Sequence, residues 1–179
     1  WKVVRMALTT KNFSTGYQNT EVIKSINLTL DNVEWLGIIG ANGSGKSTFL
    51  KGISRILKAY SGVAYCNGEN IHTSSSKDVA TKISVLPQQN KADLQMSVYE
   101  LVCLGRSPHK KWWELDLNKN DLLKVDQSLS LTHMNEFKDK SVRTLSGGQR
   151  QRAFLALALA QDTKTLLLDE PTSFLDIHY

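Results

Sequence analysis

Residues 40 to 47 read GANGSGKS and follow the apolar run VEWLGIIG. Small residues that end in a lysine and a hydroxyl suit one task above others, which is holding a polyphosphate. Gly43 and Gly45 lack the Cβ that keeps a backbone from curling tightly, so successive N–H groups can turn inward on phosphate oxygens. Lys46 brings a compact, mobile ammonium to the β- and γ-phosphates, and the Ser47 hydroxyl can ligate Mg²⁺. A helix beginning near Lys46 adds the positive end of its dipole to the same anion. The spacing G-x-x-x-x-G-K-S, between a strand-like run and a helix, therefore predicts a P-loop made of Gly40, Asn42, Gly43, Ser44, Gly45, Lys46, Ser47 and Thr48. A nucleoside triphosphate is the ligand such a loop takes.

Two further segments can do chemistry. Residues 165 to 170 read TLLLDE. The run Leu166-Leu167-Leu168 is too short for a helix and fits a strand buried on both faces of a parallel sheet. Ligands of open α/β sheets gather at the carboxyl ends of strands, where Asp169 and Glu170 emerge. There Asp169 can hold Mg²⁺ through water and Glu170 can polarise an attacking water. The same pair also reads as two solvated carboxylates closing a strand before Pro171. Residues 145 to 149 read LSGGQ, ahead of the apolar AFLALALA. Ser146 stands three residues before Gln149, the spacing of a capping box, and Gly147 and Gly148 leave the backbone open. The segment is either an ordinary capped helix start or a second anion site.

In this order, the P-loop, LSGGQ, TLLLDE and the SFLD at 173 to 176 closely resemble the ATPase subunit of ABC transporters. The resemblance runs from about Tyr17 to the last residue. It implies that Glu170 is the Walker B catalytic acid, with Lys46 and Gln88 beside it in catalysis. It implies a head-to-tail dimer in which Ser146, Gly147, Gly148 and Gln149 cap the γ-phosphate held by the other subunit, and in which Asp176 is the D-loop aspartate. Tyr17, which lies 23 residues before Gly40, matches the aromatic that stacks on adenine. ISVLPQQ at 83 to 89 matches the Q-loop, with Gln88 the better candidate and Gln89 the alternative. An amide there can touch Mg²⁺ or water without adding negative charge. The implied Mg²⁺ set is Ser47, Gln88 and Asp169. The family's switch histidine lies well beyond the catalytic glutamate, and His178 comes too early for it. The expectation is a C-terminally truncated fragment, with an N-terminus that begins at Trp1 rather than at a methionine.

The elements that must position these residues can be read coarsely. Residues 22 to 30 and 33 to 39 read as strands joined at Asp31-Asn32, and 46 to about 58 as a helix. Residues 61 to 68 read as another strand, and 72 to 78 as a polar loop. From about Ser97 to Met134 the pattern is helical. The fold expected is α/β: a P-loop NTPase with a RecA-like core, N-terminal antiparallel β strands, and a helical subdomain inserted at about 95–145. One domain spans residues 1 to 179. Within the insertion, Gly105-Arg106-Ser107-Pro108 resembles an element of ATPases that serve importers of iron–siderophore complexes, haem and cobalamin; Gly and Pro there also fit a plain helix stop. Trp112 and Trp113 in KKWWEL fit a partner contact or packing under the loop.

Composition narrows the function classes. At 179 residues and 41% hydrophobic content the chain can build a globular core. No apolar run approaches a bilayer span, so permease subunits must supply any crossing. The expected location is the cytoplasmic face of the membrane, bound through those subunits and indirectly serving a substrate-binding protein. Cys66 and Cys103 lack CxxC spacing and read as reduced structural cysteines. The histidines show no metal-ligand spacing. The net charge of +5 is not gathered into a basic block, so no nucleic-acid partner is expected. An ATP-hydrolysing subunit that energises an importer is the leading reading. A soluble ABC ATPase acting on ribosomes or DNA is the alternative, and Glu170 argues against a switch that does not hydrolyse.

Overall fold

A computed structural model describes residues 8–18, 20–31, 35–88, 95–114 and 116–170. They fall into two compact units, residues 1–83 and 84–179.

The first unit is an antiparallel sheet and two helices. Strands β1 (Leu8–Tyr17), β2 (Thr20–Leu30), β3 (Ala59–Cys66) and β4 (Glu69–Asn70) lie in the order β2-β1-β3-β4. The β1–β2 register runs from Leu8 opposite Leu30 to Tyr17 opposite Thr20, with irregularities between them. β1 is the central strand, and its fully buried Phe13 meets Phe49 edge-on at 6.4 Å. Phe49 belongs to helix α1 (Lys46–Ile53), so this contact seats the P-loop helix on the sheet. The His72 ring also packs against Phe13, tilted, at 5.6 Å, and its Nε2 lies 3.1 Å from the Gly52 carbonyl. Burial pulls the His72 pKa below its ordinary value, and nearby Arg55 pulls the same way, against the hydrogen bond to Gly52.

Three expectations need correction here. The predicted strand at 33 to 39 is not seen: residues 35 to 40 form no regular strand, and Trp35 and Ile39 are each 97% exposed. An apolar run of that kind holds a strand conformation only between paired neighbours. β2, its expected partner across Asp31, makes its ladder with β1 instead and stands at the end of the sheet among the described residues. Helix α1 is also shorter than predicted, ending at Ile53 because Arg55 turns into the left-handed region at φ 66°. The polar loop at 72 to 78 gives way to helix α2 (Ser76–Ala80), capped by the Ser75 hydroxyl, which accepts from the Asp78 amide at 3.1 Å.

The second unit joins a strand pair to a helical body. β5 (Ile83–Leu86) pairs with β6 (Thr165–Leu168). Leu167 is buried but Leu166 is 37% exposed, so β6 is covered mainly on one face among the described residues, not on both as predicted. Alternation sends Leu166 and Leu167 to opposite faces. Helices α3 (Val98–Cys103), α4 (Lys119–Leu131) and α5 (Gly147–Ala160) share one core of Val98, Leu101, Val102, Val125, Leu129 and three alanines of α5. Ala153, Ala156 and Ala160 recur at helical spacing and let the neighbouring helices approach closely. Each of these helices opens on a capping box: Ser97 with Glu100, Asn118 with Asp121, and Ser146 with Gln149.

Candidate functional site

In the first unit the predicted loop has the backbone that a phosphate cradle requires. Gly43 and Gly45 adopt φ of 80° and 94°, a region that side chains with a Cβ rarely enter. Gly45 is the N-cap of α1 and provides no side-chain cap, and the first turn of α1 carries no acidic residue. The amides at that helix start therefore present positive potential with no built-in anion against them. Lys46 reaches back over the loop, its Nζ donating to the carbonyls of Gly40 at 2.8 Å and Ala41 at 3.0 Å. These bonds hold the ammonium above the turn closed by the Ser44 amide on Ala41. Asn42 lies in that exposed turn, and Thr48 is buried on α1 beneath it.

Tyr17 ends β1 and is 43% exposed. Lys51 of α1 donates to its hydroxyl at 3.3 Å and sits 5.8 Å from its ring centroid. The tyrosine is thus fixed by the same helix that begins at the P-loop. Sequence reasoning found Tyr17 but not Lys51. It also missed a cavity of about 400 Å³ bordered by Ile23, Ile26 and Leu28 of β2, by Ile39, and by Gly45 and Lys46 at one end. Its lining joins apolar side chains to four residues of the P-loop, Gly40, Ser44, Gly45 and Lys46.

In the second unit the structure brings Gln88 and Glu170 together. The Gln88 side-chain amide donates to the Glu170 carboxylate at 2.6 Å, across 82 residues of sequence. β5 and β6 place them, because Gln88 follows the end of one strand and Glu170 the end of the other. The Asp169 amide donates to Leu86 at 3.0 Å and extends the pairing one residue beyond β6. The Asp169 side chain is buried, at 5% exposure, whereas Glu170 is exposed and sits at φ 50°. A carboxylate on such a turn is held out of line with the strand that carries it. Gln89 and Asp176 lie outside the described residues.

The LSGGQ segment, the signature segment below, forms the capped helix start that its spacing predicts. Ser146 is the N-cap of α5; its Oγ accepts from the Gln149 amide at 3.3 Å, and Gln149 Oε1 accepts from the Ser146 amide at 3.0 Å. Gly147 and Gly148 are the first helical residues, so the start of a 14-residue helix carries little side-chain bulk. Beyond these residues sequence reasoning missed one polar cluster. Arg106 and Asp121, each 4% exposed at the side chain, pair at 3.0 Å, and Lys110 reaches the other carboxylate oxygen at 2.7 Å. Burial pushes the Asp121 pKa up, but the bonds from Lys110, Arg106 and the Asn118 amide outweigh it and draw the value down to about 2. Arg106 was singled out in the sequence, but its partners Asp121 and Lys110 were not.

The P-loop at a helix start in the first unit and the strand-end carboxylate pair in the second are each features of the P-loop NTPase fold class. The solved structure of cbiO1 from Clostridium perfringens, part of the ABC transporter complex cbiONQ, matches at a TM-score of 0.78 and 30% identity, covering 96% of this chain and 68% of that one. Residues 23–173 match the family described as ABC transporter, and the chain belongs to that family. It is 41% identical over 171 residues to the iron(3+)-hydroxamate import ATP-binding protein FhuC of Bacillus subtilis, covering 96% of this chain and 63% of that protein. It is 45% identical over 155 residues to the petrobactin import ATP-binding protein FpuC of Bacillus anthracis, covering 87% and 57%. The chain thus spans about three fifths of the length of these curated relatives.

Proposed function

We propose that this chain is the nucleotide-binding part of an ATPase that energises an ABC importer of iron–siderophore complexes. The observation that carries the nucleotide reading is the P-loop backbone: two left-handed glycines lead into a helix start without an acidic or side-chain cap. The names of the relatives support the importer reading and its substrate class. The partners proposed are a second ATPase subunit, arranged head to tail, and transmembrane permease subunits at the cytoplasmic face. No helix among the described residues is long and apolar enough to cross a membrane.

Each residue has a task set by its chemistry. The P-loop amides and the α1 dipole bind the phosphates, and Lys46 leaves its two carbonyls to neutralise β- and γ-oxygens. Tyr17 offers a flat apolar face to adenine. Glu170 accepts the hydrogen bond of the attacking water and aligns it with the γ-phosphorus, with Gln88 donating beside it. The Ser146 hydroxyl and the α5 amides serve the γ-phosphate of a partner's nucleotide. Ser47 and Gln88 would offer oxygen ligands to Mg²⁺ and Asp169 would hold it through water; such an ion would supply charge neutralisation at the phosphate oxygens. Phosphate release at saturating Mg-ATP tests the proposal, with Lys46→Ala as the control for the loop. Full turnover in a folded Lys46→Ala protein would sink the nucleotide reading, and iron–siderophore uptake that survives deletion of the gene would sink the importer reading.

A further inference from the structure

The segment Gly105–His109 is a turn of 3-10 helix, and every polar contact it makes toward α5 ends on the last turn of that helix. Four carbonyls at the end of an α-helix have no partner within it. Here the Arg106 Nη1 donates to the Ala160 carbonyl at 2.6 Å, and His109 Nε2 lies 2.7 Å from the Gln161 carbonyl. Gly105 lies so close that a Cβ there would stand 2.5 Å from the Leu157 carbonyl oxygen and 3.1 Å from the Ala160 side chain. Any other residue would push the turn off the helix. Lys124 of α4 holds Asp162, the next residue but one past α5, at 3.1 Å. Arg106 and His109 thus hold the last carbonyls of the helix, where its dipole is negative, and Lys124 ties down the residue that follows them.

The clamp is itself anchored. Asp121 Oδ1 accepts from Arg106 at 3.0 Å, and Oδ2 accepts from Lys110 at 2.7 Å and from the Asn118 amide at 3.1 Å. Asp121 stands in the first turn of α4, where a carboxylate is favoured. One buried carboxylate therefore ties the start of α4 to the end of α5. α5 is a rod of 14 residues, about 21 Å long at 1.5 Å per residue, and its other end is the signature segment. Fixing the axial position of one end fixes the other.

We propose that Arg106 and His109, anchored by Asp121, are positioning residues that set the height of the signature segment Ser146–Gln149 through the far end of α5. This rests on the ATPase reading above. It gives the Gly-Arg-x-Pro element a task within this chain, apart from any link to the substrate carried. A misplacement of about 1 Å at a reacting group costs on the order of a hundredfold in rate, so a loosened clamp lowers turnover rather than nucleotide affinity.

The test uses the assembled transporter with its full-length ATPase. Arg106→Met with Asp121→Asn removes both charges of the buried pair, while the amide oxygen at position 121 still accepts from Lys110 and from the Asn118 amide, so the start of α4 keeps its cap. Expected are a KM for ATP within about twofold of wild type and a kcat reduced at least about tenfold. Combined with Ser146→Ala, the loss should fall well short of the product of the separate losses, because both changes act on one segment. His109→Gln, which keeps a donor, should recover most of what His109→Ala loses. In the nucleotide-free protein, amides 147 to 161 should exchange at least about tenfold faster in the double variant while those of β1 and β3 do not change. Wild-type kcat in the folded double variant overturns the proposal, as do multiplicative losses with Ser146→Ala or unchanged exchange in α5. A wild-type protein that neither binds nor hydrolyses ATP would overturn the ATPase reading instead, and the exchange measurement separates the two failures.

Discussion

Asp121→Ala removes a carboxylate that three donors share, and the cost follows from what those donors are left with. The Arg106 side chain is 4% exposed and Lys110 12% exposed, so neither cation regains full hydration in place. Breaking a buried pair on one side typically costs about 3–5 kcal/mol, because a charge is left without compensation. Loss of the capping box with Asn118 adds about 1 kcal/mol at the start of α4. The sum, about 4–6 kcal/mol, rivals the whole stability of a marginal domain. Protonation should cost less, since a neutral carboxyl still accepts hydrogen bonds. The Asp121 pKa falls from 3.8 to about 2 on folding, which corresponds to about 2 kcal/mol. A lowered folded-state value means this stabilisation is present above about pH 4 and is lost as pH falls through about 2. Native-state hydrogen exchange on α4 and α5 reads both effects directly. The expected order is wild type, then acidified wild type, then Asp121→Ala. A loss below about 1 kcal/mol in Asp121→Ala would refute the buried-charge account, since an exposed surface pair gives no more than that.

Other outcomes follow from the candidate site. Lys46→Ala should leave the melting temperature within a few degrees of wild type, while ATP affinity falls at least about tenfold and turnover disappears; equilibrium nucleotide binding and phosphate release measure both. Glu170→Gln keeps the shape and one acceptor of the Gln88 contact, so ATP binding should persist while hydrolysis falls at least about a hundredfold and an ATP-held dimer accumulates in size-exclusion chromatography. Retained turnover in that variant would remove Glu170 from the chemistry. Tyr17→Phe should bind ATP like wild type, whereas Tyr17→Ala should lose about 1–3 kcal/mol of stacking, seen in titration with ATP against triphosphate alone.

The chemistry-bearing segments were legible in the sequence because each is local. A P-loop needs glycines, a lysine and a hydroxyl within eight residues, and the helix start at Ser146 needs a serine and a glutamine three apart. Both formed where the spacing placed them. What sequence did not reveal depends on residues far apart along the chain. The Gln88–Glu170 bond crosses 82 residues and the Arg106–Ala160 bond 54, and no periodicity encodes either. The strand predicted at 33 to 39 failed for a related reason: its apolar pattern specifies burial but not a partner, and β2 had already paired with β1. Helix α1 was drawn too long because Arg55, an ordinary helix former, takes a left-handed conformation that its type does not announce.

The position of β2 has a practical consequence. Among the described residues it is an 11-residue strand at the end of its sheet, and beyond it come Trp35 and Ile39, each almost fully exposed. A long strand edge beside solvated apolar groups is a template on which another chain can add a strand. Glu21 and Lys24 on β2 oppose this, as edge charges do. At high protein concentration a polypeptide of these 179 residues should therefore self-associate slowly through β2, without nucleotide and with a rise in thioflavin fluorescence. A nucleotide-held pair would form and dissolve with the supply of ATP and leave the dye dark. That contrast gives preparations of this protein a simple measure of whether two copies have met face to face or edge to edge.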